Sequence, residues 1–277
     1  LTIHRTHQLL RCHHCNFQTR ILEKCNNCHS KNLVYVGHGT QRNTEVLQNL
    51  FPKFPVIRID RDTVQNKNSI EKYIKRINTG HPLILVGTQM LAKGHHFPLL
   101  STVIILDIDQ GLYNPDFRSE EKIMQLLTQV SGRAGRAEHE GNVLIQTYIP
   151  ENPILRCWKN NGYHEVIHEI LKNRKFHELP PYTYMGVIRA DSTRPNEALE
   201  FLEKITNQRG DKKCQIIGPI PLVMEKRAGR HRAQIILKSK KRKDLHEIIN
   251  NFKIIINSNN KSYRLRWSID IDPLETT

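Results

Sequence analysis

The chain has 277 residues, with 42 Lys and Arg against 27 Asp and Glu and a formal net charge of +15. That length leaves room for about two domains of ~100 to 200 residues, each able to bury its own core. The positive excess favours a polyanionic partner, nucleic acid first among them. No apolar run approaches the ~18 residues that a membrane span needs, which excludes a membrane protein of that kind.

The first residues, Leu1 onward through His4-Arg5-Thr6-His7, contain no apolar core of a secretory signal, so a cytoplasmic protein is expected. Residues 1–32 are rich in His, Cys and Asn and poor in aliphatics, so a metal has to supply their core. Cys12-x2-Cys15-x9-Cys25-x2-Cys28 has the spacing of a zinc ribbon. Two knuckles give thiolates, and the residues between let the chain return to close a tetrahedron of Cys12, Cys15, Cys25 and Cys28 around zinc. His13, His14 and His29 are then surface residues, because four thiolates fill a structural shell. Of the six cysteines, Cys157 and Cys214 stand alone, a usage that fits metal chemistry in a reducing compartment better than a disulfide framework.

From residue 33 to about 150, short apolar runs alternate with amphipathic segments. Leu33–Val36, Val56–Ile59, Leu83–Val86, Val103–Leu106 and Val143–Ile145 read as buried strands. Ile70, Tyr73, Ile74 and Ile77 share helical spacing, as do Ile123, Leu126, Leu127 and Val130. Strand and helix in alternation predict a parallel α/β sheet.

Gly87-Thr88-Gln89 closes one of those strands and Gly94 follows, so a hydroxyl, an amide and close backbone approach sit at a strand's carboxyl end, where phosphates of a nucleotide or nucleic acid are contacted. Turn geometry alone also accounts for Gly and Thr there. Gln129-x-x-Gly132-Arg133-x-Gly135-Arg136 ends a helix. Its glycines let two guanidiniums project to one side, an arrangement that clamps charge on a transferred γ-phosphate. The simpler alternative is a basic helix end complementing the helix dipole. No G-x-x-x-x-G-K-[ST] phosphate loop occurs in the 277 residues. The two segments therefore read as the trailing half of a helicase motor.

Residues 151–181 carry helical segments at Ile154–Asn161 and His164–Phe176 and end at Leu179-Pro180-Pro181, where a domain boundary is placed. Residues 182–277 read as strand (Met185–Ala190), helix, two strands flanking a basic turn, helix, strand (Leu265–Ile271), the order of a ferredoxin-like α+β domain. Ala198, Phe201, Leu202 and Ile205 mark its first helix and Leu245, Ile248, Ile249 and Phe252 its second. Asn257–Lys261 reads as a loop. In the turn, Lys226, Arg227, Arg230, His231 and Arg232 form a candidate phosphate-contacting patch, with a merely solvated basic hairpin as the plain alternative.

Together, Leu10–Cys15, Gly87–Pro98, Asp116-Phe117-Arg118-Ser119, Gln129–Arg136, Leu179-Pro180-Pro181, Gly218-Pro219, Lys226-Arg227 and Arg230 resemble the bacterial primosomal protein N′ family, the PriA replication-restart DNA helicases, in family order along essentially the whole chain. The resemblance implies a superfamily 2 helicase that hydrolyses ATP with Mg²⁺, moves 3′ to 5′ on single-stranded DNA, recognises abandoned forks and helps reload the replicative helicase. It implies a second RecA-like lobe, partnership with primosome proteins and single-stranded DNA-binding protein, and roles for Gly87, Thr88, Gln89 and Gly94 in motif V and for Gln129, Arg133 and Arg136 in motif VI. The two arginines would meet the γ-phosphate. In the family two zincs are held by eight cysteines, of which only the last two C-x-x-C pairs are here, one from each site. One rearranged zinc is the alternative.

The same resemblance implies that the first motor lobe, with Walker A and B, and the 3′-end-binding and winged-helix domains lie upstream of Leu1. ATP and Mg²⁺ would then be used only by the complete two-lobe enzyme. Two other readings stand beside this one: a non-catalytic, zinc-containing DNA-binding or primosome-adaptor module, and the relic of a truncated gene.

Overall fold

The computed structural model describes residues 2–4, 9–11, 18–33, 39–60, 73–88, 97, 99–132, 141–207, 213–259 and 265–276. The chain falls into two compact units. One comprises Leu1–Val34, Pro115–Arg118 and Leu171–Thr277, the other Tyr35–Asn114 and Ser119–Ile170. Near the N-terminus, β1 (Thr2–His4), β2 (Leu9–Arg11) and β3 (Gln18–Arg20) pair antiparallel in that order.

The second unit carries α1 (Thr40–Leu50), β4 (Val56–Ile59), a helical stretch at 73–77, β5 (Ile84–Gly87), β6 (Thr102–Ile105), the single turn α2 (Asp109–Leu112), α3 (Ser119–Ser131), β7 (Asn142–Ile145) and the start of α4 (Pro153–Phe176). The apolar runs at 56–59, 83–86, 103–106 and 143–145 are strands within one residue of their expected limits. The run at 33–36 falls largely outside the described residues. β4 pairs with β5 and β6 with β7, both in parallel, so the single expected sheet is described as two parallel pairs.

The core here gathers Ile108, Leu112, Ile123, Met124 and Leu127 with Ile154, Leu155, Val166 and Ile170 of α4. Met124 and Leu127 are fully buried, whereas Leu126 and Val130 are only half-buried, so the buried stripe of α3 is rotated toward Met124. Part of the stretch expected as a helical connector thus belongs to this core. The Asn152 side chain accepts from the backbone N–H groups of Ile154 and Leu155, at 2.9 and 3.3 Å, and caps α4 with Pro153 in its first turn. The two helices expected there meet at Gly162, whose φ of 82° breaks the helical path.

In the C-terminal part of the other unit, β8 (Tyr184–Ser192), α5 (Glu197–Thr206), β9 (Gln215–Arg227), β10 (Arg230–Ser239), α6 (Arg242–Asn259) and β11 (Arg266–Ile271) build a four-stranded sheet in the order β11-β8-β10-β9. All its pairings are antiparallel. Ile188, Ala190, Ala233, Ile235 and Leu237 alternate onto the face that meets Leu202 and Ile205 of α5 and Leu245, Ile248, Phe252 and Ile256 of α6. α6 continues to Asn259 through residues expected to be loop, because Ile256, fully buried, extends the apolar stripe by another turn. Gly218 has φ +106°, and a Cβ there would sit 2.9 Å from the Gln234 carbonyl oxygen, so glycine lets β9 bend close to β10.

The opposite face of the sheet is apolar around the buried Met185 and Val187 and polar from Arg189 onward. Part of it holds the last residues of the chain: Gln234 Nε2 donates to the Thr276 carbonyl at 2.7 Å and Arg189 donates to the Glu275 carbonyl. The Thr276 N–H donates at 2.9 Å to the buried Asp116 carboxylate, which also accepts from Arg118 N at 2.8 Å. The Phe117 ring lies between the Arg118 and Arg174 guanidiniums, 5.3 and 5.1 Å from its centroid.

Candidate nucleic-acid interface

In the parallel unit the candidate phosphate contacts begin where β5 ends. Gly87 and Thr88 are exposed at its carboxyl end, the edge at which open α/β sheets bind ligands. Ile59 of β4 lies opposite Gly87, and the next residue, Asp60, is buried. The Asp60 carboxylate accepts from Thr40 Oγ1 at 2.6 Å and pairs with Arg58 at 3.1 Å, tying the start of α1 to the strand end. Gln89 and Gly94 lie outside the described residues. Gln129 is exposed on the last turn of α3. That turn is held by Trp158, whose indole N–H donates to Thr128 Oγ1 at 3.0 Å, while Gly132 N–H donates to the Thr128 carbonyl at 3.1 Å. A Cβ on Gly132 would meet that same carbonyl oxygen at 3.3 Å, a tight contact. Arg133 and Arg136 lie outside the described residues.

Of the four cysteines expected to bind zinc, Cys12 and Cys15 lie outside the described residues. Cys25 is half-buried and Cys28 exposed on a tight turn. Cys25 N–H donates to the Ser30 carbonyl and His29 N–H to the Cys25 carbonyl, each at 2.9 Å. The Asn27 N–H donates to Cys25 Sγ at 3.4 Å. Backbone N–H groups of Cys28 and Asn27, in that order, push the Cys25 thiol below its ordinary value. Donors aimed at sulfur favour the thiolate form of Cys25.

The basic turn is the two-residue loop of the β9–β10 hairpin. Arg227 pairs with Arg230, and Ala228 and Gly229 both have positive φ, 49° and 79°, as a type I′ turn requires. The hairpin does bring the five predicted residues together, with His231 half-buried opposite Lys226, but they are not equivalent. Lys226 and Arg227 are exposed. Arg230 is committed to Asp191 through its Nε and, at 2.9 Å from Nη2, to the Asp191 carbonyl. Arg232 is half-buried and faces Asp191 across the sheet. Arg189 and Arg266 share that face and were not singled out by motif, because each stands alone in its strand. Only the alternation of Arg189-Ala190-Asp191 and Arg266-Trp267-Ser268 gives them away. Among the described residues no helix is long and apolar enough to cross a membrane.

Residues 13–138 match the helicase conserved C-terminal domain, and residues 176–274 the primosomal protein N C-terminal domain. A parallel α/β unit followed by an antiparallel α+β unit, carrying these two matches, defines the C-terminal portion of a helicase-type replication protein. Over 275 residues the chain is 39% identical to replication restart protein PriA of Haemophilus influenzae, covering 98% of this chain and 37% of that protein. The protein of the same name from Bacillus subtilis is 35% identical over 278 residues, 99% of this chain and 34% of the relative. That from Rickettsia felis is 31% identical over 274 residues, 99% and 42%. The chain belongs to the replication restart protein PriA family. It spans about a third of the length of the first two of these curated relatives, 37% and 34%.

Proposed function

We propose that this chain supplies the C-terminal part of an ATP-dependent 3′ to 5′ DNA helicase that restarts stalled replication forks and assembles the primosome. In this reading residues 33–150 are the second RecA-like lobe and residues 182–277 a ferredoxin-like module that holds DNA. The observation that carries it is the joint placement of Gly87 and Thr88, exposed at the end of a parallel strand, and Gln129, exposed on the last turn of a helix braced by Trp158. Both leave polar groups facing solvent where a nucleotide's phosphates and a DNA strand are read in motors of this kind.

ATP with Mg²⁺, when bound between two lobes, would supply the phosphoryl group whose cleavage drives movement. Thr88 and Gln89 would couple that state to DNA, and Arg133 and Arg136 would meet the γ-phosphate. Because catalysis needs groups on both sides of the nucleotide, the 277-residue chain alone is expected to turn over no ATP, with or without single-stranded DNA. Steady turnover by the purified chain, abolished in the R133A/R136A variant, would overturn this division of labour.

For zinc, the Cys25–Cys28 turn fits as one knuckle, and Cys12 and Cys15 would form the other, giving a structural site that stabilises residues 1–32. Elemental analysis of the purified chain is expected to find one equivalent of zinc, lost in the C25S/C28S variant. The partners proposed by family are DNA forks, primosome proteins and single-stranded DNA-binding protein. A second reading, a non-catalytic DNA-binding adaptor, is favoured by the C-terminal module's core, complete within its own sheet and two helices. Fork binding by the chain in the absence of any nucleotide is common to both readings.

A further inference from the structure

The sheet face turned away from α5 and α6 carries Arg189 and Arg266, which none of the sequence motifs accounts for, beside Arg230 and Arg232 of the basic turn. Strand alternation places Arg189 and Asp191 of β8, Arg230, Arg232 and Gln234 of β10, and Arg266 and Ser268 of β11 on this face. Arg232, Asp191 and Arg266 lie directly across from one another on three adjacent strands. They border a groove of about 320 Å³ with Arg189, Leu222 and Ser268.

The carboxylates on the face are already neutralised. Arg230 holds Asp191, and Arg189 holds Asp270 at 3.1 Å. Among the described residues the Arg232 and Arg266 guanidiniums have neither an ion pair nor a hydrogen bond. Burial first, then the positive charges of Arg227 and Arg189, push the Arg232 guanidinium down from its ordinary value, against a smaller upward pull from Asp191. A half-buried cation repelled by its neighbours gains most from an anion that enters the groove. Neighbouring strands are ~4.8 Å apart, so Arg232 and Arg266, on either side of β8, start ~10 Å apart. Their long stems can converge on one phosphate or span two successive ones. Trp267 borders the groove but packs against the apolar core on the helix side. The face therefore offers charge and planar hydrogen-bond donors without an aromatic platform for bases.

We propose that this groove is a sequence-independent phosphate-backbone site for a single nucleic-acid strand, with Arg232 and Arg266 as its phosphate ligands and Arg189 and Ser268 as its border. It rests on the DNA-binding reading above and moves the principal contact from the hairpin turn to the sheet face. A groove of this size admits one sugar–phosphate chain, whereas a duplex is too broad to enter it.

Fluorescence anisotropy of the full 277-residue chain with a labelled mixed-sequence single strand, followed from low to high salt, tests the assignment. The R232Q/R266Q variant is expected to bind about tenfold more weakly, and its slope of log affinity on log salt to fall by about 1.4, at ~0.7 per single-strand phosphate. K226Q/R227Q, at the turn, is expected to lose less than about threefold. A urea midpoint equal to that of the unmodified chain verifies folding. If the double variant does not fold, R266Q alone, at an exposed position, carries the test with a slope loss of about 0.7.

Binding that survives R232Q/R266Q but is lost in K226Q/R227Q overturns the groove and leaves the DNA-binding reading standing. No binding by the unmodified chain at low salt overturns both. Polyglutamate competing as well as the oligonucleotide overturns the phosphate assignment, and a duplex bound as tightly through the same two arginines overturns the preference for a single strand.

Discussion

The parallel unit and the C-terminal antiparallel sheet use apolar residues in opposite ways. In β6 and β7, Ile104 and Leu144 lie one across from the other and are 60% and 55% exposed, while Ile105 and Ile145 on the other face pack against the core. In β8 and β10, Ile188, Ile235 and Leu237 are wholly buried against two helices, and the other face passes from Val187 and Ile236 to Arg189, Asp191, Arg232 and Gln234. A parallel sheet draws on apolar residues for both of its faces, whereas an antiparallel sheet can leave one face for water or for a ligand. The region with a spare polar face is therefore the one able to carry a binding groove on the sheet itself. The parallel unit keeps its candidate chemistry at strand and helix ends.

That contrast is open to mutation. Phe252→Ala, at a fully buried position between sheet and helix, is expected to cost about 3–5 kcal/mol in urea unfolding, and Leu144→Ala well under about 1 kcal/mol. Equal costs would break the comparison. Gly218→Ala, which forces a Cβ against the Gln234 carbonyl at positive φ, is expected to destabilise by about 1–3 kcal/mol and to loosen β9, seen as faster amide exchange there. Ala228→Asn should have the opposite sign, about 0.5–1 kcal/mol of added stability, because Asn tolerates the left-handed φ of a type I′ turn better than Ala. A loss on that substitution would argue against the turn type.

The smallest effect belongs to Glu178 and Lys240, 2.7 Å apart and both exposed. The Lys240 hydrogen bond, then its charge, pulls the Glu178 carboxyl down, and Glu178 in the same order raises Lys240. Whatever the pair contributes is present above the ordinary carboxylate range and lost as pH falls through the lowered Glu178 value; at the alkaline end it is lost as pH rises through the raised Lys240 value. Exposed pairs contribute little, so Glu178→Gln is expected to leave the urea midpoint at neutral pH unchanged.

The same contrast explains what could be read in advance. Leu83–Val86 and Val103–Leu106 announce themselves as unbroken apolar runs, yet such runs say nothing about neighbours, and the pairing of β4 with β5 and of β6 with β7 had to come from the structure. α1 escaped because its apolar residues, Val46, Leu47 and Leu50, are confined to its second half and none of its residues is buried. In the antiparallel module the alternation carries both faces, so the helix-side core was legible residue by residue. Arg189 and Arg266 were hidden only because the eye follows runs of charge rather than every second residue. Lys226 and Arg227 form such a run at the tip of the hairpin; Arg230, directly across from Arg227, is already spent on Asp191.

Pro115–Arg118 is four residues of chain lying between α2 and α3, yet its closest associations are with residues 171–277, through Asp116 and Thr276, and Phe117 and Arg174. No single cut of the polypeptide therefore yields two intact pieces. A fragment starting at residue 171 leaves Gln234 and Thr276 behind without the carboxylate that anchors the Thr276 amide, and a fragment ending there keeps Asp116 as a buried acid stripped of that donor. Dissection of this protein calls for a graft that carries the Asp116 loop along, and an inactive fragment made by simple truncation says nothing about the unit it was meant to isolate.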